Sequence, residues 1–178
     1  MIFNQYDPAE VEFAYQVSTV LSLSILAKFY GLELTIDQKD KLIDGLLLMN
    51  SSGGNMGDGS FLPEIPSLVF CLHLLKTETN APNLEAAVNN LSMVYLLSIG
   101  ERIDALAVSN LLAAWNEVGE ATQTEQGFDL VKQLVLDKAK EGAFFSKGCG
   151  TALVNIIKSC TEMQYCDAEF LDCILGGL

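Results

Sequence analysis

Residues 51–61 read SSGGNMGDGSF, four glycines with Asp58 and Asn55 between two strongly apolar stretches. A phosphate-binding loop follows a β-strand, places its glycines at a helix start and is helped by a lysine or a distal acid. Here the preceding segment is helical in pattern, the loop holds no lysine, and Gly54, Gly57 and Gly59 do not fall in the GxGxxG order. Asp58, Asn55 and backbone carbonyls supply only part of the six or more oxygens that calcium takes. The composition reads instead as a long connector whose glycines occupy positive-φ positions.

His73 is the sole histidine, which removes multi-histidine metal sites and leaves one imidazole for acid–base work. Between Leu72 and Leu74 it reads as a hydrogen-bonded helix residue. Cys149, within KGCGT beside Lys147, sits at an expected helix start, where a thiol can lose its proton more easily. Paired with His73 it would form a nucleophilic dyad; as a packed thiol it needs no partner. The other cysteines, Cys71, Cys160, Cys166 and Cys173, lack the CxxC spacing of zinc or redox sites. Five thiols in all, an odd number, read as reduced and imply a cytoplasmic protein.

These residues sit in a chain of 178, the size of one domain with a single core. Half the residues are hydrophobic, mean hydropathy is +0.31 and only 19% are charged. Either the core is unusually complete or apolar surface meets a partner. With 23 acidic against 10 basic residues the net charge is −13, which repels nucleic acid and anionic membrane surfaces. The N-terminal MIFNQYDPAEVEF carries acids where a secretory signal carries positive charge, and no apolar run reaches the roughly 18 residues of a membrane span.

Periodicity predicts an all-α, single-domain bundle of about 7–8 helices, since no segment alternates like a strand. Asp7 and Pro8 open a helix to about Tyr30 that is apolar on almost every side and is therefore expected at the centre. Thr35 and Gln38 form a capping box for the next, ending near Met49. Pro63 and Pro66 start a third, to about Thr77. Residues 78–83 read as a linker, Asn83 caps a fourth helix to about Ile99, and Asp104 caps a fifth containing Trp115, a core residue first and a binding anchor second. Thr122 and Glu125 open a sixth to Lys140, TALVNIIKSC is a seventh, and Asp167 caps a short eighth over about 167–175. The acids around that eighth helix, Glu162, Asp167, Glu169 and Asp172, make either a solvated face or a dock for a basic partner.

Two segments share a plan: LSLSILAKFYGLELTIDQKDKLIDGLL and LSMVYLLSIGERIDALAVSNLLAAW. Gly31 matches Gly100, Leu34 matches Ile103, Leu42 matches Leu111 and Ile43 matches Leu112, all at one offset. DGSF at 58–61 and EGAF at 141–144 each precede a further apolar helix. A pseudo-two-fold pair of three-helix units, about 8–77 and 84–160, is expected. Over residues 20–48 and 90–115 this plan resembles the TerB-like tellurite-resistance family, acidic helical proteins whose paired helix–turn–helix halves carry acids in the turns. The resemblance implies a divalent-metal face and a role in stress resistance. The acids near the turns here are Asp37, Asp40, Glu101 and Asp104, while Tyr30 and Ile99 occupy the places of the family's aspartates before the glycines.

The residues together favour a non-enzymatic protein, without a cofactor, that binds another protein or itself through apolar helix faces rimmed with acid. A divalent-metal-binding stress protein and a carrier of an apolar small ligand are the alternatives.

Overall fold

The structure, a computed structural model, describes residues 13–51, 62–99, 102–118, 125–146, 148–165 and 167–177. Among them every regular element is helical: α1 (Phe13–Tyr30), α2 (Ile36–Ser51), α3 (Ile65–Leu72), α4 (Ala81–Ile99), α5 (Ala105–Val118), α6 (Glu125–Lys140), α7 (Gly150–Glu162) and α8 (Ala168–Gly176). Short 3₁₀ turns at Leu62–Glu64 and His73–Leu75 flank α3. The expected all-α bundle is what forms. The Asp7 start, Asp58 and its glycine loop, Gly100, Glu101, Thr122 and Cys166 lie outside the described residues.

Local signals place most helix ends. At α2 the Thr35 N–H donates to Gln38 Oε1 (2.9 Å) and the Gln38 N–H to Thr35 Oγ1 (3.3 Å), a reciprocal capping box. The carboxylate of Asp104 accepts from the Ala107 N–H at 2.7 Å, and that of Asp167 from the Phe170 N–H at 2.9 Å. Gly31 (φ +67°) and Gly142 (φ +71°) end α1 and α6 in the left-handed region, where a Cβ is strained. Gln164 (φ 57°) does the same after α7 without being glycine. That backbone turn directs Tyr165 onto Phe128, with ring centroids 4.3 Å apart and planes at 20°.

Within the segment 78–83 only residues 78–80 form a turn, and the rest is helix. α4 begins at Ala81, and Asn80, 3% exposed, is bound on all sides before it. Its side chain accepts from the Thr77 N–H (2.9 Å) and donates to Asp40 Oδ1 (2.8 Å) and to the Leu75 carbonyl (3.0 Å). Asn83, the expected cap, already lies in the first turn and donates to Asp44 Oδ1 at 3.2 Å. The polar composition of TETNAPN marks a knot of hydrogen bonds between α2 and the start of α4.

The central helix is α5 rather than α1. Ala105, Ala107, Val108, Ser109, Leu111, Leu112, Ala114, Trp115 and Val118 of α5 are buried, and it packs on α3, α4 and α7. Its alanines and Ser109 let three neighbours approach closely. α3, α5 and α7 run in the same direction: Pro66 lies by Leu106 and Ala107, Phe70 by Ala113, and Asn116 donates to Glu162. α1 and α2 close the α3–α4 side, while α6 and α8 pack together at the other.

The matched repeat positions Leu42, Leu111, Ile43 and Leu112 are all fully buried. The packing of the halves differs, however. α5 rests along much of α7, whereas α2 meets α3 little among the described residues, and α1 packs on α3 with no comparable contact of α4 with α7.

Candidate interaction surface

α1 is built inside out. Its inner stripe holds Gln16, Val17, Val20 and Ser24, all fully buried, and the Ser24 hydroxyl has no hydrogen-bond partner among the described residues. Its outer side exposes Tyr15, Ile25, Leu26, Phe29 and Tyr30, and the surface continues through Leu32 to Ile36 at the start of α2. Phe29 is 69% and Tyr30 79% exposed. Given about 150–250 Å² for an aromatic side chain and somewhat less for Leu or Ile, Ile25 to Ile36 present on the order of 500 Å² of apolar side chain. That is near the upper end for the largest patch on a monomer, and such patches mark binding sites. Lys28 is the only charge on α1; its ammonium lies 5.7 Å from the Phe29 ring centroid and 5.1 Å from that of Phe70. A central α1 would have put Ile25, Leu26 and Phe29 in the core, and they lie outside it. Their signal was present in Ser18 and Ser22, which share the outer stripe with Tyr15, Ile25 and Phe29 at helical spacing.

The candidate metal residues have other surroundings. Asp104 is spent on the α5 cap and Asp40 on Asn80, with Thr77 Oγ1 3.5 Å from the same Asp40 oxygen. Asp37 is exposed in the first turn of α2, where a carboxylate suits the helix dipole. Among the described residues, no three His, Cys, Asp or Glu side chains gather as a metal would require.

Nor do His73 and Cys149 meet. His73 Nδ1 hydrogen-bonds the Phe70 carbonyl. Lys76 Nζ, just beyond it, donates to the Glu117 carbonyl at 3.4 Å, so His73 belongs to the end of the bundle where α5 finishes. Cys149 precedes α7, whose last residue Glu162 lies at that same end. Thirteen residues of α7 at about 1.5 Å each put the two roughly 20 Å apart. Cys149 packs against the core and makes no capping hydrogen bond. Cys71, Cys160 and Cys173 are free thiols, and burial raises the pKa of Cys71 and Cys173, keeping them protonated at neutral pH.

Two half-open grooves lie along α5. One, about 190 Å³, is bordered by Pro66, Tyr95, Arg102 and Asp104; burial, with Asp104 nearby, pushes the Tyr95 hydroxyl up to about 12. The other, about 250 Å³, is bordered by Asn110, Asn116, Asn155, Lys158 and Glu162. Both are open to solvent and mix polar with apolar lining, Pro63 and Leu106 in the first and Phe70 and Ala113 in the second. Comparison with protein-family models, curated proteins and solved structures returns no match. Among the described residues no helix is long and apolar enough to cross a membrane.

The acids beside α8 are largely engaged within the molecule. Lys132 Nζ on α6 lies 2.8 Å from Asp167 Oδ2 and 3.0 Å from Glu169 Oε2, joining α6 to the α8 start. The Lys132 bond and the Phe170 N–H hold the Asp167 carboxyl below its usual range, and the hydrogen bonds that Lys132 donates to Asp167 and Glu169 raise its own pKa. The folded pKa of Asp167 is depressed, so its contribution is complete above the unfolded value of about 4 and disappears as pH falls through the folded value. Asp167→Ala is expected to cost about 1 kcal/mol at pH 7 through the lost cap. Chemical denaturation at several pH values should show the gap between wild type and variant constant above about pH 5 and closing below about pH 4.

Proposed function

We propose that this protein acts by binding another protein through the exposed face of α1. The observation that carries the reading is the high exposure of Phe29 and Tyr30 on a helix whose opposite stripe buries Gln16 and Ser24. Burying about 500 Å² of apolar side chain at about 25 cal/mol per Å² is worth on the order of 10 kcal/mol before the entropy of association, enough to sustain a specific complex. Absence of acid from this helix, in a chain of net charge −13, adds support, because interface cores are depleted of charge.

The test compares wild type with Phe29→Asp/Tyr30→Asp. Both side chains are exposed, so melting temperature should change little, while binding of a purified host partner, first found by cross-linking, should fall by at least about a hundredfold if these are central anchors. Equal binding by the variant would sink the reading.

A further inference from the structure

We infer that the occupant of the α1 face is a second copy of this chain, with two α1 helices crossing antiparallel about a two-fold axis near Ser22. The inference rests on the reading of α1 as a binding face and is carried by the order of residues along it. The outer stripe runs Tyr15, Ser18, Ser22, Ile25 with Leu26, then Phe29 with Tyr30, spaced three and four apart as in a helix–helix seam. Tyr15 and Phe29 each lie seven residues from Ser22, about 10 Å along the axis in opposite directions. An antiparallel copy therefore sets Tyr15 against the partner subunit's Phe29, Ser18 against the partner subunit's Leu26, and Ser22 against its own equivalent. Large side chains meet at the two ends, and small ones at the middle allow close approach. A stripe that complements its own reverse is what an isologous two-fold contact requires.

Area and charge agree with that occupant. A standard interface buries about 800 Å² per partner, and some 65% of a homodimer interface is apolar, which is close to the roughly 500 Å² that the exposed parts of Tyr15, Ile25, Leu26, Phe29 and Tyr30 present on this seam. Two chains of net charge −13 repel wherever their acids face each other. The α1 segment contains no acid among its 18 residues and one lysine, so it is a surface on which two copies can meet without that repulsion.

Sedimentation of the full chain over about 1 μM to 1 mM should show the mass moving from 19.3 kDa toward twice that value, at lower concentration as salt screens the net charge. Ser22→Glu, at an exposed position, places two carboxylates at the axis and should weaken association at least about tenfold; Phe29→Asp should do so independently. Leu175→Glu, an exposed apolar position on α8, should leave the dimer intact. A mass fixed at 19.3 kDa throughout, or dimers unaffected by both α1 variants, overturns the second copy as occupant. In that event, host-partner binding that is lost in Phe29→Asp/Tyr30→Asp would keep α1 as a binding face for a different protein, and binding indifferent to α1 would remove both proposals.

Discussion

Trp115→Ala is expected to destabilise the fold by about 3–5 kcal/mol, the usual range for emptying a large aromatic site in a core. Trp115 is 2% exposed on the central helix α5. Its ring meets Phe128 edge-on at 5.1 Å, and Phe128 in turn stacks on Tyr165, which packs against Phe170 at 6.0 Å. The indole thus begins an aromatic chain from α5 through α6 to α8, and removing it opens a void where three helices converge. The indole Nε1–H also donates to Ser92 Oγ at 3.1 Å, a hydroxyl that is itself buried on α4. Trp115→Phe keeps much of the packing and gives up that bond, so it should cost less, about 1–2 kcal/mol. With the sole tryptophan gone, urea unfolding must be followed by far-UV circular dichroism. The expected result is a midpoint lowered by more than about 1 M with little change in slope. A shift equivalent to less than about 1 kcal/mol would mean that α6 and α8 do not depend on α5 for their position.

How much of this molecule was legible in its sequence depended on the range of the interaction concerned. Thr35 with Gln38, Asp104 and Asp167 act within one turn of their own helix, so residue type and spacing announced them, and the structure has each bond. The apolar period likewise gave α5, and Trp115 was read as core. The placement of α1 was not legible, because apolar residues on all sides of a helix do not say which side faces inward. That choice depends on neighbours far along the chain, and here it left Phe29 and Tyr30 outside while Gln16 and Ser24 went in. The surroundings of the candidate metal acid Asp40 were hidden for a related reason. A carboxylate on a predicted outer face looks free in sequence, yet Asp40 reaches forty residues onward to Asn80.

That long-range tie yields the other large effect. Asn80→Ala is expected to cost about 2–3 kcal/mol, more than an exposed cap, because the Thr77 N–H and the Leu75 carbonyl lose their bonds to Asn80 together, and Asp40 Oδ1 keeps only the long contact with Thr77 Oγ1. Water cannot easily replace a side chain that is 3% exposed. The damage should also travel. The knot holds the N-terminal half of α2 against α4, and Ile36, which extends the α1 apolar surface, opens that same helix. Hydrogen exchange should therefore show faster opening of α2 and the first turn of α4 than of α5 and α7 in the variant. Asn80→Asp separates shape from chemistry. It keeps the outline but sets a second carboxylate beside Asp40 and replaces a donor to the Leu75 carbonyl with an acceptor. The like charges raise the folded pKa of the pair, so the repulsive penalty is present at pH 7 and relieved as pH falls and one carboxyl takes a proton. Denaturation midpoints should then place Asn80→Asp at or below Asn80→Ala at pH 7 and above it near pH 4, because the protonated acid can donate again to Asp40. The same order at both pH values would mean that the amide serves only to fill space between α2 and α4.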